Sequence, residues 1–280
     1  MNNIDRYAVI GHGIGHSRSP RIHALFAAQT GQALEYGLLD VPADGFAAAV
    51  RSFVAAGGQG LNVTVPFKEA AAALADALTP RAQQAGAVNT LARRADGSLL
   101  GDNTDGAGLI RDLAANLGCT LRGARVLLLG AGGAARGIIA PLLAAGVVEL
   151  AIANHNPARA AALAREFAAL GPVQALSAAA IAGPAAPPYD LVLNATSASL
   201  RGELPAVPPG AVAAQTLCYD LAYGTTETAF QRWARDAGAA RTAMGLGMLV
   251  EQAAESFLLW RGVRPETAAV RAALTAGADS

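Results

Sequence analysis

The sequence predicts an α/β fold of two lobes, on three observations. Short apolar runs alternate with helical stretches along most of the chain, the spacing of βαβ units whose sheet is mostly parallel and covered on both faces. The alternation starts afresh after residue 124, which calls for a second sheet. That second series opens with "RVLLLGAGGAARG" (125–137), an apolar strand running straight into a glycine-rich turn and a helix. At 280 residues the chain has the length for two domains of ordinary size.

In the first lobe, strands are expected at 6–10, 35–41 and 60–65, with helices at about 19–29, 44–56 and 67–78 between them. "VNTLARRADGSLLG" (88–101) breaks the pattern: two extended runs flank Asp96-Gly97, a hairpin signal. A helix follows over about 105–117, starting near "DNTDG". The second lobe reads as strand 125–129, helix 133–145, strand 148–153, helix 157–169 and strands 172–176, 189–194 and 216–220. Loops rich in Pro and Ala, "AGPAAPP" and "ELPAVPPG", punctuate it. Residues 246–261 and 265–276 are helical, with Pro265 suited to a first turn. Boundaries near 105 and 240 let these last helices return to the first lobe. There is no internal repeat.

Composition narrows the function. Hydrophobic residues make up 53%, much of it alanine, so the cores should be lined by small side chains. Basic and acidic residues balance at 21 each, without the basic excess expected of a nucleic-acid or acidic-membrane partner. Cys119 and Cys218 form neither a metal spacing nor a disulfide framework, so no metal is expected and a reducing cytoplasm fits. The start, "MNNIDRYAVIG", has no apolar segment of signal-peptide type. The most apolar stretch, 126–153, is broken by Gly-rich turns, Arg136 and Glu149, and does not read as a membrane span. A soluble, cytoplasmic protein is expected.

The glycine-rich turn carries the first chemical signal. Gly130 allows a tight turn, Gly132 lets backbone approach a pyrophosphate, and Ala135 permits close helix–strand packing. The free N–H groups of the following helix suit phosphate. A strand before, a helix after and a second strand about 20 residues on are the dinucleotide-binding context. That second strand ends "IANHNPAR", with Asn154, His155 and Asn156 where an NAD site places an acid for the ribose 2′-hydroxyl. The absent acid and Arg159 one turn later favour NADP over NAD, with Arg159 the contact for the 2′-phosphate.

The second signal is a lysine. Of the 21 Lys and Arg residues, Lys68 in "NVTVPFK" is the one lysine. Arginine keeps its proton at accessible pH, whereas a lysine amine can be tuned and deprotonated, so a lysine retained among arginines is a candidate for chemistry. Short polar side chains gather at the same strand ends: Ser17 and Ser19 in "HSRSP", Asn62 and Thr64 in "NVTVPFK", Asn89 in "AVNT" and Asp105 in "GDNTDG". Such a set suits a polyhydroxylated small molecule, although each alone is also ordinary turn chemistry.

Taken together with "GAGGAARG", the segments "HSRSP", "NVTVPFK", "GAVNT", "GDNTDG", "NATS" (194–197), "CYDLAY" (218–223) and "GLGMLVEQAA" (245–254) resemble the shikimate dehydrogenase family over nearly the whole chain. The resemblance implies an N-terminal α/β substrate domain formed by 1–105 and 244–280, and a Rossmann NADP-binding domain at 106–243. It implies reversible hydride transfer between NADP and the ring carbon bearing the 3-hydroxyl of shikimate. By position, Ser17, Ser19 and Tyr223 match residues that grip the substrate carboxylate. Thr64, Asn89, Asp105 and Gln252 match residues that bond the ring hydroxyls, with Asn62 in the same cluster. Lys68 matches the family's catalytic lysine, paired with Asp105 for proton exchange. Gly130, Ala131, Gly132, Gly133 and Ala134 match the pyrophosphate loop. Asn154, His155, Asn156 and Arg159 match the adenosine-phosphate region, Thr196 lies in the cofactor motif "NATS", and Leu221 and Gly245 match the nicotinamide side.

The chain departs from the family pattern at two places. Gly13 stands where the serine turn usually has proline, and His155 where NADP-preferring members commonly have arginine. The second departure implies NADP preference with a reduced margin over NAD. Among His12, His16, His23 and His155, His16 is nearest the serine turn and is expected to pack under it. Quinate, sharing the carboxylate and ring hydroxyls, is the alternative substrate. A non-catalytic dinucleotide-binding regulator would have no use for the Lys68–Asp105 pair, and a folate dehydrogenase would not explain "NATS" or "GLGMLVEQ". A monomer or homodimer acting on a small molecule is expected.

Overall fold

The computed structural model describes residues 4–177, 180, 187–208, 210–224 and 226–276. They fall into two compact units, one holding the residues up to Leu109 with those from Leu249 on, the other Ile110–Met248. In chain order the first run of elements is β1 (Asp5–Gly11), α1 (Ser19–Thr30), β2 (Leu34–Asp40), α2 (Phe46–Ala55), β3 (Gly58–Val63), α3 (Lys68–Leu74), β4 (Ala77–Leu78), α4 (Pro80–Ala85), β5 (Thr90–Arg93), β6 (Leu99–Asp102) and α5 (Asp105–Arg111). The second run is β7 (Arg125–Leu129), α6 (Gly133–Ala144), β8 (Glu149–Ala153), α7 (Pro157–Phe167), β9 (Val173–Ala175), β10 (Leu191–Asn194), β11 (Leu217–Asp220), α8 (Ala229–Asp236) and β12 (Arg241–Met244). Helices α9 (Leu246–Arg261) and α10 (Thr267–Ala276) close the chain.

The first unit holds a six-stranded sheet in the order β2-β1-β3-β5-β6-β4. β1 lies parallel to β2 and β3, while the hairpin β5–β6 adds to β3 antiparallel. The hairpin turns at Asp96-Gly97 as its residues predict: Gly97 has φ +87° and the Asp96 carboxylate accepts from Ser98 N at 2.9 Å. Ile10, Leu61, Val63, Val88 and Leu91 build the core against Phe46 and Phe67, whose rings stack at 4.8 Å. From Leu249 on, α9 and α10 belong to this unit, as expected of the last helices.

Two details differ from the expected elements. The helix expected over 67–78 ends at Leu74, and the chain then forms the short strand β4 beside β6. Asp76 secures this exit, accepting from Leu99 N at 2.8 Å while its own N–H bonds Leu99 O. Next comes the unforeseen α4, which carries all the ordinary end signals: Thr79 accepts from Ala82 N, Pro80 opens the helix, and Gly86 closes it at φ +59°.

The second unit holds a fully parallel sheet in the order β12-β11-β10-β7-β8-β9. Counted from β7, that is the 3-2-1-4-5-6 order of a doubly wound nucleotide-binding sheet. β7 lies near its middle, buried from Val126 to Leu129, which accounts for the continuous apolar run. α8 and β12 were not foreseen; Thr228 and Gln231 form a reciprocal capping box that starts α8. The helix expected over 105–117 is α-helical to Arg111 and π-helical over Asp112–Asn116, where Asn116 Nδ2 donates to Asp112 Oδ1 at 2.8 Å. The loop "AGPAAPP" lies mostly, and Pro209 of "ELPAVPPG" wholly, outside the described residues. Among the described residues, no helix is long and apolar enough to cross a membrane, and no group of three or more His, Cys, Asp or Glu could hold a metal ion.

Candidate active site

In the first unit the polar cluster forms at the ends of β1, β3, β5 and β6. Strand β3 delivers Asn62, and the chain then turns through Thr64 and a cis Val65–Pro66 peptide to place Lys68 on the first turn of α3. The hairpin ends at Asp102, and the turn 102–105 places Asp105 at the start of α5. Lys68 Nζ is ion-paired and hydrogen-bonded to Asp105 Oδ2, with side chains 13% and 6% exposed. The other oxygen, Asp105 Oδ1, accepts from Asn89 Nδ2 at 2.8 Å. Asn89 Nδ2 also lies 3.1 Å from Gln252 Oε1, and Gln252 Nε2 donates to Leu249 O at 2.8 Å. Lys68, Asp105, Asn89 and Gln252, from four separate segments, therefore form one contiguous constellation. A lysine and a carboxylate in contact and shielded from solvent can exchange a proton with a bound hydroxyl.

The turn that carries Asp105 is built by side chains. Asp102 accepts from Arg81 Nε at 2.7 Å and from Asn103 N at 2.8 Å. Asn103 in turn accepts from Asp105 N at 3.2 Å and donates to Ala87 O at 2.9 Å. Burial opposes ionisation of Asp102, but Arg81 and Thr79 outweigh it and hold the carboxyl below its usual range. The serine turn is also fastened from outside. Asp40, at the end of β2, accepts from Gly13 N at 2.8 Å and Ile14 N at 3.1 Å. Gly13 has φ +69°, a conformation closed to the proline of the family pattern. Ser17 Oγ accepts from Ser19 N at 3.3 Å, and Ser19 is buried at the start of α1.

His16 is exposed, so it does not pack under the serine turn as expected. The histidine that packs inside is His23, flat on Tyr36 with ring centroids 4.1 Å apart. Burial pushes its pKa down to about 3, opposed weakly by nearby Asn62, and neither ring nitrogen reaches a hydrogen-bond partner. It is therefore neutral at neutral pH and has no imidazolium proton to give there. Asn62 turns inward too: its oxygen accepts from Tyr36 OH at 2.6 Å, and its amide donates to Ser256 Oγ at 2.9 Å.

In the second unit, Gly130 leaves β7 at φ +113°, and a Cβ there would sit 3.0 Å from Ala195 O. Gly132 precedes α6 with open space around it and no side chain capping the helix. The backbone N–H groups of Gly133 and Ala134 are therefore presented without a side-chain partner at the N-cap, the arrangement that accepts a phosphate. After β8, Asn154 donates to Asn156 O at 3.0 Å and Asn156 caps α7 through Ala158 N. His155 is exposed, and Arg159 Nη2 reaches Ala131 O at 3.3 Å, which brings its cation to the glycine-rich turn. The residues present thus fit a dinucleotide carrying an additional phosphate.

The motif "NATS" is a hub rather than a loose loop. Asn194 donates to Ser199 Oγ at 3.0 Å and to Asp220 Oδ1 at 3.2 Å, while its oxygen accepts from Thr196 Oγ1 at 2.7 Å. Asp220, fully buried at the end of β11, also accepts from Thr228 Oγ1 at 2.8 Å and Ala222 N at 3.1 Å. Leu221 and Gly245 come together: a Cβ on Gly245 would lie 2.3 Å from Leu221 O. Tyr223 follows β11 in this unit, half-buried. Cys218 is buried, which pushes its thiol up to about 12, and Cys119 is partly exposed.

Comparison with known proteins gives a consistent result. Three family models match in succession: the shikimate dehydrogenase substrate binding domain over residues 9–91, shikimate / quinate 5-dehydrogenase over 112–201, and the shikimate 5'-dehydrogenase C-terminal domain over 245–275. A shikimate dehydrogenase (NADP(+)) of Methylococcus capsulatus is 58% identical, covering 95% of each chain. One from Aromatoleum aromaticum is 60% identical, covering 97% of each. A crystal structure of shikimate 5-dehydrogenase from Thermus thermophilus in complex with NADP(H) and shikimate superposes with a TM-score of 0.84 at 34% identity, covering 98% of this chain and all of that one.

Proposed function

This chain belongs to the shikimate dehydrogenase family, and we propose that it catalyses the reversible, NADPH-linked reduction of 3-dehydroshikimate to shikimate in the cytoplasm, a step of chorismate and aromatic amino acid biosynthesis. The observation that carries the reading is the shielded Lys68–Asp105 pair, held by Asn89 at the strand ends of the first unit. When bound, NADP supplies the hydride acceptor, and NADPH the donor.

In the oxidation of shikimate the 3-hydroxyl must lose its proton, and in the reverse direction it must regain it. Lys68 and Asp105 take up and return that proton as one coupled pair. Thr64, Asn89 and Gln252 bond the ring hydroxyls and fix which carbon is presented, and Asn62 supports them from behind. Ser17 and Ser19, with Tyr223, take the carboxylate. Residues 1–105 and 244–280 form the substrate domain, and 106–243 the coenzyme domain. Gly130 to Ala134 hold the pyrophosphate, Asn154 to Arg159 the adenosine phosphate, Thr196 the loop beside it, and Leu221 and Gly245 the nicotinamide side. The strand end without an acid and the reach of Arg159 to Ala131 support NADP, and His155 narrows its margin over NAD.

The test is absorbance of the reduced nicotinamide with shikimate or quinate, each offered NADP or NAD. Shikimate with NADP is expected to give the highest kcat/KM. Equal or higher efficiency with NAD would overturn the coenzyme assignment, and higher efficiency with quinate the substrate assignment.

A further inference from the structure

Behind Asn89 runs a series of side chains outside the set that meets the substrate. Tyr36 OH donates to Asn62 Oδ1 at 2.6 Å, and Asn62 Nδ2 donates to Ser256 Oγ at 2.9 Å. The hydroxyls of Ser256 and Thr90 lie 2.7 Å apart. Thr90 Oγ1 donates to Asn89 Oδ1 at 2.9 Å, and Asn89 Nδ2 donates to Asp105 Oδ1 at 2.8 Å. Thr90 and Ser256 are fully buried, on β5 and α9.

The directions at the two amides are fixed by groups with a single role; at the Ser256–Thr90 contact either hydroxyl can donate, and the order of distances selects the donor. Asn89 Oδ1 faces the backbone N–H of Thr104 at 2.8 Å, which can only donate, so the other end of that amide, facing the carboxylate, is the nitrogen. Asn62 Nδ2 faces the carbonyl of Asn89 at 3.4 Å, which can only accept, so its oxygen faces the tyrosine. Ser256 Oγ accepts from Asn62, leaving its proton for Thr90 Oγ1, its nearest acceptor; Gln252 O and Thr104 Oγ1 are farther, at 3.2 and 3.3 Å. Thr90 then has its proton for Asn89. All the donors point the same way, from Tyr36 to the carboxylate. Bonds aligned in this manner polarise and strengthen one another.

We propose that Tyr36, Asn62, Ser256 and Thr90 form a one-way donor chain that ends on Asn89 and holds the Asp105 carboxylate in register with Lys68, making Ser256 and Thr90 positioning residues for the reaction. This rests on the reading of Lys68 and Asp105 as the proton-exchanging pair. An amide cannot pass a proton along such a run without changing tautomer, so the chain orients and polarises and does not relay. Its far end is held by the neutral ring of His23 lying on Tyr36.

The test compares Thr90→Val, Ser256→Ala and Tyr36→Phe, each removing one hydroxyl at increasing distance from Asp105, with Ser256→Thr as the hydroxyl-restoring control. Two quantities are read: the side-chain amide resonances of Asn89 by 1H–15N NMR, and kcat and KM for shikimate. In Ser256→Ala, which removes no contact of Asn89 itself, the Asn89 amide proton should move upfield and kcat should fall about threefold to tenfold with KM within about twofold. Both effects should be larger in Thr90→Val, smaller in Tyr36→Phe and reversed in Ser256→Thr. Asn89 resonances in Ser256→Ala that coincide with wild type, or a shifted amide with unchanged kcat, overturn the proposal. If wild type does not oxidise shikimate, the functional reading fails while the amide resonances still decide whether the chain exists.

Discussion

Replacing Lys68 by arginine separates charge from proton exchange. Truncation to alanine would be a poorer experiment, because it leaves the shielded Asp105 carboxylate without its cation, at a cost of about 3–5 kcal/mol in stability. Lys68→Arg keeps that cation, and a guanidinium can still bond Asp105 Oδ2 while Asn89 retains Oδ1. What it removes is an amine able to give up its proton near neutral pH. The loss expected in kcat is therefore that of a positioned acid–base group, about 10²–10⁴, equivalent to about 2.7–5.5 kcal/mol on the barrier. Because the binding charge stays, KM for shikimate should change much less. Initial rates of NADP reduction against shikimate concentration give both constants, and thermal unfolding confirms that the variant folds. A Lys68→Arg enzyme within about fivefold of wild-type kcat would leave Lys68 as a binding charge only and Asp105 alone to move the proton.

Other measurements probe other parts of the molecule. His23 stays neutral down to about pH 3 in the fold, whereas in the unfolded chain it takes a proton near 6.5. Its share of stability is therefore complete above 6.5 and is lost progressively as pH falls toward 3, about 2–3 kcal/mol by pH 4.5. Urea denaturation at about pH 7 and about pH 4.5 should show His23→Phe losing less stability than wild type between them, and an equal loss would contradict the buried neutral ring. Arg159→Gln should lower kcat/KM for NADP by about tenfold or more, the worth of a charge-assisted phosphate contact, and leave NAD nearly unchanged. A parallel fall with both coenzymes would make Arg159 a structural contact to Ala131 instead.

How much of this was legible in the sequence depends on how local each signal is. The β7 turn into α6 could be read because a strand buried on both faces is apolar throughout and its turn needs glycine at φ +113°. The β5–β6 hairpin announced itself through Asp96-Gly97. By contrast, α4 has six residues, too few for a periodicity to show, although Thr79, Pro80 and Gly86 all marked its ends. Lys68, Asn89 and Asp105 stood out as polar residues at strand ends. The side chains that fasten the surrounding turns and motifs did not, because each acts across the fold: Asp40 on Gly13, Arg81 on Asp102, Asp220 on Asn194, and Ser256 on Asn62 from a distant helix. Nothing in the residues around Ser256 sets it apart from any other serine on a helix. His16 misled because the sequence shows proximity to the serine turn but not which side of the chain faces the core, a place His23 takes from one helical turn into α1.

In the proposed reaction, hydrogen leaves one ring carbon of shikimate for NADP while Lys68 and Asp105 handle the hydroxyl proton. Shikimate deuterated at the carbon bearing the 3-hydroxyl tests it most directly, with the NADPH formed analysed by mass spectrometry. The expected result is NADPH one mass unit heavier than that made from unlabelled shikimate. Unlabelled NADPH, or none at all, would contradict the account.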